Sequence, residues 1–328
     1  MARSVAIIGA GQIGYGAWYC LGDMGHEASV LARSRPDWLT GFEHHFKPYE
    51  AGQDAAPEAE IVFDTIAFDA EDIDRYDPDR VGRLIVVSSA SVYCDHKGRT
   101  LDEAAQHGFP EFDGPISESQ STVEPGSGTY STRKRRMELR ALELFGDRVT
   151  ILRPCAIYGP YSRHPREWWF VKRLLDGRTQ IPLAFEGASQ FHTTNADLIG
   201  DFVVAVAERD LAGIFNLADA TSPTVVEIGR SIAELLDRPV DFVPIAGPPV
   251  DNVGRAPWAV PRPFLVDGSK AAKAGQLARI QFDVEAEDTV RWLRDLNPSD
   301  WRTAFPQLAA YPWDLFDYKA EDRFFASL

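Results

Sequence analysis

The sequence predicts an α/β fold, a doubly wound parallel sheet followed by a smaller lobe. Three observations carry this. Val5-Ala-Ile-Ile-Gly9-Ala-Gly11-Gln-Ile-Gly14 is an apolar run that ends in glycines spaced G-x-G-x-x-G and leads straight into a helix-compatible segment. Arg83-Leu-Ile-Val-Val-Ser88-Ser89 is a near-continuous β-branched run, as expected of a strand buried on both faces. Such runs alternate with helical segments through the first half of the chain, the pattern of parallel strands joined by crossover helices.

Taken in order, the glycine run reads as strand, tight turn and helix start. Gly9 makes the turn, Gly11 lets the backbone approach a pyrophosphate, and Gly14 lets helix and strand pack closely. The unpaired N–H groups of the helix start, at Gln12 and Ile13, then face the phosphates. Ala17 to Met24 reads as the first helix and Ala28-Ser-Val-Leu-Ala32 as the second strand. That strand ends in Arg33-Ser-Arg35-Pro, where a dinucleotide fold meets the adenosine ribose. No acidic residue stands there to accept from a 2′-hydroxyl, and Arg33 and Arg35 offer charge to a 2′-phosphate. NADP is therefore expected before NAD, with Arg35 reading equally well as a solvated loop charge.

Residues 36–58 are polar with scattered aromatics and carry no clear period. Glu60 to Phe68 is a strand and its loop, and 94–128 is a long excursion rich in Gly, Pro, Ser and acid. From Thr129 a helical segment runs to Phe145, followed by the buried strand Arg148 to Pro154. Further on, helices are expected at 168–175, 197–208 and 286–296, and strands at 213–218 and 241–245. The expected division puts a dinucleotide-binding domain at 1–160 and 186–230, and a substrate lobe at 161–185 and 231–328, with the site in the cleft between them.

The 328 residues have an ordinary globular composition, 45% hydrophobic and 25% charged. A formal charge of −15 and a pI near 4.9 argue against a nucleic-acid partner. No apolar run is long enough to span a bilayer, and no signal peptide precedes the first strand, so a cytoplasmic protein is expected. Three widely spaced cysteines make no disulfide framework, and the seven histidines show no metal-ligand spacing.

The chemistry-bearing pair is Tyr130 and Lys134, four apart on one face of a helix. An isolated tyrosine titrates near 10, and a neighbouring ammonium favours the phenolate, making tyrosine a usable acid–base group. Ser89 closes the clearest strand, at the sheet edge where ligand-facing residues collect, and could hydrogen-bond a substrate oxygen. Ser88 and Ser91 are alternatives for that role, and a serine at a strand end is often only a turn former. Trp168, Trp169 and Trp258 fall in the lobe, where tryptophans are more often core than pocket lining.

With these residues in place, the chain resembles the extended short-chain dehydrogenases/reductases, in their epimerase/dehydratase group, whose sheet is of Rossmann type. The resemblance covers most of the sequence and rests on Gly9 to Gly14, Ser88-Ser-Ala-Ser-Val-Tyr93, Tyr130-x-x-x-Lys134, Leu152-Arg-Pro-Cys-Ala-Ile-Tyr-Gly-Pro160, Thr194-Asn-Ala-Asp-Leu198 and Phe215-Asn-Leu-Ala218. It implies that Tyr130 is the acid/base, that Lys134 lowers its pKa and holds the nicotinamide ribose, and that Ser89 orients the substrate oxygen. It also implies a homodimer, joined through a helix pair around 95–145.

Three departures shape the functional expectation. The glycine motif is one residue shorter than the family's usual form, as in atypical members that often lack the tyrosine, which is present here. Ser89-Ala-Ser91 lacks the Asp-Glu pair of sugar-nucleotide dehydratases. Gln190 stands where nucleotide-sugar enzymes place an arginine for the diphosphate, eight residues before Leu198. The expectation is an NAD(P)-dependent oxidoreductase that moves a hydride between nicotinamide and a small-molecule carbonyl or alcohol. The alternatives are a nucleotide-sugar epimerase with tightly held cofactor and a non-catalytic NADP-sensing regulator.

Overall fold

The computed structural model describes residues 2–328. In chain order the strands are β1 (Ser4–Ile8), β2 (Glu27–Ala32), β3 (Phe46–Pro48), β4 (Ala59–Asp64), β5 (Val81–Val87), β6 (Val149–Pro154), β7 (Ala156–Tyr158), β8 (Gln180–Leu183), β9 (Thr193–Asn195), β10 (Gly213–Leu217) and β11 (Asp241–Pro244). The helices are α1 (Gln12–Asp23), α2 (Ala70–Ile73), α3 (Ala104–His107), α4 (Tyr130–Phe145), α5 (Trp168–Leu175), α6 (Ala196–Arg209), α7 (Val225–Leu235), α8 (Ser269–Gly275), α9 (Phe282–Glu285), α10 (Glu287–Leu296), α11 (Trp301–Ala304), α12 (Pro306–Ala309) and α13 (Tyr318–Phe325).

The chain packs as two compact units. One comprises the segments up to Ile157, Thr194–Ala218 and Val266–Arg279, and the other Tyr158–Thr193, Asp219–Leu265 and Ile280–Leu328. This division differs from the expected one at four places. Residues 158–160 and 186–193, Gln190 among them, fall in the second unit rather than the first. Residues 219–230 pack with the second unit, because α7 buries Ile228 and Ile232 there beside α5. Residues 266–279 return to the first, where α8 lays Ala271 against the sheet core.

The first unit is a seven-stranded parallel sheet in the order β10-β6-β5-β4-β1-β2-β3. Alternation along the strands divides the core into two layers. Val5, Ile7, Ile61, Phe63, Ile85 and Val87 face α1, α6 and α8, whereas Ala6, Ile8, Val62, Leu84 and Val86 face α2 and α4. The chain winds outward from β1 to β3, then returns to β4 on the other side of β1. That reversal makes the carboxyl ends of β1 and β4 the switch point at which open α/β sheets bind ligands.

Three local outcomes depart from the sequence reading. Helix α1 begins at Gln12 rather than Ala17, with Gly14 and Gly16 inside it. Glycine is required at Gly16 by close helix packing: a Cβ there would lie 2.7 Å from the Ala196 carbonyl oxygen of α6. The unassigned 36–58 stretch supplies β3, an edge strand too short and polar to show a period. The helix pair around 95–145 is absent, since 95–128 contains only the one-turn α3 and is ordered instead by a buried hub. There Asp95 accepts from the Lys97, Arg99 and Glu111 backbone amides and from the Arg99 side chain. Those bonds outweigh its burial and hold its carboxyl down to about 2.

In the second unit, β8 and β11 pair in parallel. Trp168, Trp169 and Trp258 are each 1% exposed, so they are core side chains. The buried Arg173 of α5 is fully engaged there. It donates to Glu321 at 2.6 Å, to the Trp169 and Leu315 carbonyls at 2.9 and 2.7 Å, and lies 3.7 Å above the Trp169 ring.

Candidate functional site

The glycine loop leaves β1 at the switch point. Gly9 sits at φ +107, and a Cβ on it would meet Thr65 Oγ1 at 2.1 Å, so only glycine fits the turn. A Cβ on Gly14 would lie 2.1 Å from the Gly9 carbonyl oxygen, which seats the first turn of α1 directly on the loop. At Gly11 the same construction meets nothing within 4 Å. Two of the three glycines therefore serve packing, and the third faces open space, as an approaching pyrophosphate needs. Ile13 packs against the sheet core, and Gln12 carries a buried Oε1 with no hydrogen-bond partner among the described residues.

The end of β2 lies beside this loop, since the Gly9 amide donates to the Leu31 carbonyl at 2.9 Å. Arg33, one residue beyond the strand, is exposed and makes no ion pair among the described residues. Arg35 is paired with Glu43 at 3.1 Å. Trp38 donates from Nε1 to the Ala10 carbonyl at 3.2 Å and packs on Tyr15 and Trp18, binding the segment after the arginines to the glycine loop. Sequence reasoning missed Trp38 because an isolated tryptophan in an aperiodic stretch gives no local signal.

Helix α4 starts with a reciprocal cap. Thr129 accepts from the Thr132 amide at 3.2 Å, and the Thr132 hydroxyl accepts from the Thr129 amide at 2.9 Å. Asp102, in the excursion, accepts from the Ser131 amide at 2.7 Å. Tyr130 therefore occupies a fixed first turn, 44% exposed, with its ring centroid 5.5 Å from that of Phe68. One turn on, Lys134 is buried, with Nζ 5.8 Å from the centre of the Tyr130 ring. Its ammonium donates to the Ala67 carbonyl at 2.6 Å and the Val87 carbonyl at 2.8 Å, tying the helix to the ends of β4 and β5. Burial pushes the Lys134 amine down to about 8, against the raising effect of Asp64, Asp72 and Glu138.

Ser89 lies two residues past the Val87 carbonyl that Lys134 grips. It is half-buried, caps the turn Ala90–Val92, and accepts from the Ser91 amide at 3.1 Å. The Ser91 hydroxyl instead accepts from Ser131 of α4 at 2.9 Å, and Ser88 is 2% exposed. The turn that begins at Ser89 is thereby brought against the residue following Tyr130.

Beneath this cluster is a buried ionic network not read from the sequence. Glu138, one further turn along α4, receives Nε and Nη2 of Arg153 at 2.8 and 2.6 Å. Burial alone would raise the Glu138 carboxyl, and the Arg153 bonds and charge more than reverse this. Arg153 also lies 4.8 Å from the centre of the Tyr93 ring, and Tyr93 donates to Asn216 at 2.7 Å. The spacing 130, 134, 138 was a signal that Glu138 shares the helix face of Tyr130 and Lys134. Its partner on β6 was not visible in any local pattern.

In the second unit, Gln190 donates its side-chain amide to the Ser222 carbonyl at 2.7 Å, on the wall of a cavity of about 580 Å³ lined also by Thr224, Glu227, Arg230 and Asp283. Among the described residues no group of three or more His, Cys, Asp or Glu is placed to hold a metal ion, and no helix is long and apolar enough to cross a membrane.

No family model and no curated protein matches the chain. Solved structures do. A UDP-N-acetylglucosamine 4-epimerase from Methanobrevibacter ruminantium M1, in complex with UDP-N-acetylmuramic acid, superposes with a TM-score of 0.66 at 16% identity, covering 90% of this chain and 99% of that one. A dTDP-glucose 4,6-dehydratase from Bacillus anthracis, in complex with NAD, gives 0.65 at 17% identity over 92% and 98%. A UDP-glucuronic acid 4-epimerase from Bacillus cereus, in complex with UDP-glucuronic acid and NAD, gives 0.64 at 15% over 89% and 99%. The chain has the fold of these two epimerases and this dehydratase. At such identities the likeness is one of fold.

Proposed function

We propose that this chain is an extended short-chain dehydrogenase/reductase using a nicotinamide dinucleotide for redox chemistry at a carbinol or carbonyl carbon, with Tyr130 as acid/base. The observation that carries this reading is the start of α4, an exposed phenol stacked above a buried ammonium that is itself fixed by two carbonyls. A cation beside the ring favours proton release from the phenol, so Tyr130 takes a proton from an alcohol or gives one to a carbonyl oxygen. Ser89 accepts one bond from Ser91 and keeps a hydroxyl proton to donate to that same oxygen. The first unit would hold the cofactor and the second the substrate.

The residues fit the cofactor. Gly9 and Gly14 shape the loop, Gly11 leaves room for the pyrophosphate, Gln12 offers an unsatisfied acceptor, and Lys134 has a third ammonium proton for a ribose hydroxyl. When bound, the nicotinamide supplies the hydride chemistry. Exposed Arg33 supports NADP, while two of the solved structures above hold NAD. A homodimer would have to use some surface other than a helix pair in 95–145.

For the substrate, the shared fold supports a nucleotide sugar and an epimerase, ahead of the reductase expected from the sequence. One observation favours the reductase with a dissociable cofactor. Gln190 is uncharged and its amide is committed to Ser222, so it offers no bidentate hold on a diphosphate. Native mass spectrometry of the purified protein, combined with melting in the presence of UDP or dTDP, separates the two. Retained cofactor with strong stabilisation by a nucleoside diphosphate is expected for the epimerase, and neither for the reductase. Turnover by either route excludes a purely sensing regulator.

A further inference from the structure

Asp64, the last residue of β4, is a buried carboxylate that the mechanism above does not use. It is fully buried, and its Oδ1 accepts from the Ile66 and Ala67 amides, both at 2.8 Å. Its Oδ2 accepts from the Tyr76 hydroxyl at 2.6 Å and faces Arg75 at 3.5 Å. The two amide bonds fold residues 65–67 into the turn that presents the Ala67 carbonyl to Lys134 Nζ.

We propose that Asp64 is a positioning residue for Lys134, which it serves twice: it fixes the carbonyl that receives the ammonium, and its carboxylate is a counter-charge supplied from the end of β4. The significance of this for catalysis rests on the function proposed above, but the coupling itself does not. A neutral amine has two protons, both taken by Ala67 and Val87, and only the ammonium has a third to give a ligand. Keeping Lys134 charged inside the protein is therefore what makes it useful. Three acids act on it: Asp64 from β4, Asp72 from α2 and Glu138 from α4. Glu138 is neutralised by its bidentate Arg153, and Asp72 is partly exposed and paired with Arg75, which also faces Asp64.

The experiment is a double-mutant cycle on the unliganded protein, with Asp64→Asn and Lys134→Met singly and together, followed by urea unfolding across about pH 6 to 11, the cycle being closed at pH 7 and pH 11. A lysine lowered to about 8 in the fold and near 10.5 when unfolded makes stability rise with pH between those values. That rise should vanish in Lys134→Met and begin about one pH unit lower in Asp64→Asn. At pH 7 the pair should couple by about tenfold in the unfolding constant, and the coupling should disappear at pH 11. If Asp64→Asn does not fold alone, the double variant should regain a cooperative transition. Additive effects at both pH values, or a double variant no better folded than Asp64→Asn, would overturn the proposal. No cofactor or substrate enters the measurement, so its failure is distinct from failure of the proposed enzymatic function.

Discussion

Lys134 lies beneath Tyr130 at 5.8 Å from the ring centre, and it is pinned there by one carbonyl from the turn after β4 and one from the end of β5 rather than by a carboxylate. A carbonyl pair orients the ammonium without neutralising it, so its charge remains available to the phenol. Tyr130 is 44% exposed and Lys134 is buried, so removing the phenol oxygen leaves the packing intact. Tyr130→Phe should keep the wild-type unfolding midpoint and cofactor affinity while lowering turnover by at least about a hundredfold. A variant with undiminished turnover would remove Tyr130 from the chemistry.

The three glycines of the loop should separate cleanly. Gly14→Ala drives a methyl into the Gly9 carbonyl oxygen and should cost about 2–3 kcal/mol of stability. Gly11→Ala meets no protein atom, and its φ of −84 suits any residue, so stability should change by less than about 1 kcal/mol. Cofactor affinity should nevertheless fall. Chemical denaturation and cofactor titration of the two variants check both halves.

The Glu138–Arg153 pair is buried on both sides, at 0% and 1% exposure. Glu138→Ala leaves a guanidinium uncompensated in the core and should cost about 3–5 kcal/mol. Glu138→Leu combined with Arg153→Met should recover most of that, which denaturation of the single and double variants would show.

Glu167 precedes α5 in the second unit, with 1% of its surface exposed and no hydrogen-bond partner for Oε2 among the described residues, and burial raises its carboxyl from 4.5 to about 7. The folded state therefore binds a proton more tightly than the unfolded one between those values. Stability falls as pH rises from 4.5 to about 7, by on the order of 3 kcal/mol. Glu167→Gln should abolish that slope and be the more stable protein at pH 8. Identical slopes in the two proteins would show that Glu167 is charged in the fold.

Much of this architecture was legible because parallel strands buried on both faces leave continuous apolar runs, as Leu84 to Val87 does. The Tyr130–Lys134 pair was legible because helical spacing alone places both on one face. What stayed hidden depends on distance in sequence. Nothing local in Phe46-Lys-Pro48 marks an edge strand, and the Asp95 hub orders its loop through scattered amides that have no period. Gly14 and Gly16 look like turn residues but sit within α1, because the reason for them is the approach of Gly9 and of α6. Asp64 reads as a polar strand end, and its bearing on Lys134 exists only through the turn it folds.

The central claim, that this chain binds a nicotinamide dinucleotide at Gly9 to Gly14, is tested most directly by titrating it with NADPH and with NADH while following the fluorescence of its eight tryptophans. Saturable binding of one cofactor per chain is predicted, weakened in Gly11→Ala. NADPH should be preferred, with the preference lost in Arg33→Ala through a roughly tenfold or greater drop in NADPH affinity and little change for NADH. Arg35→Ala should matter less, since Glu43 already holds that side chain. No saturable binding of either cofactor, or binding indifferent to Gly11→Ala, would contradict the account.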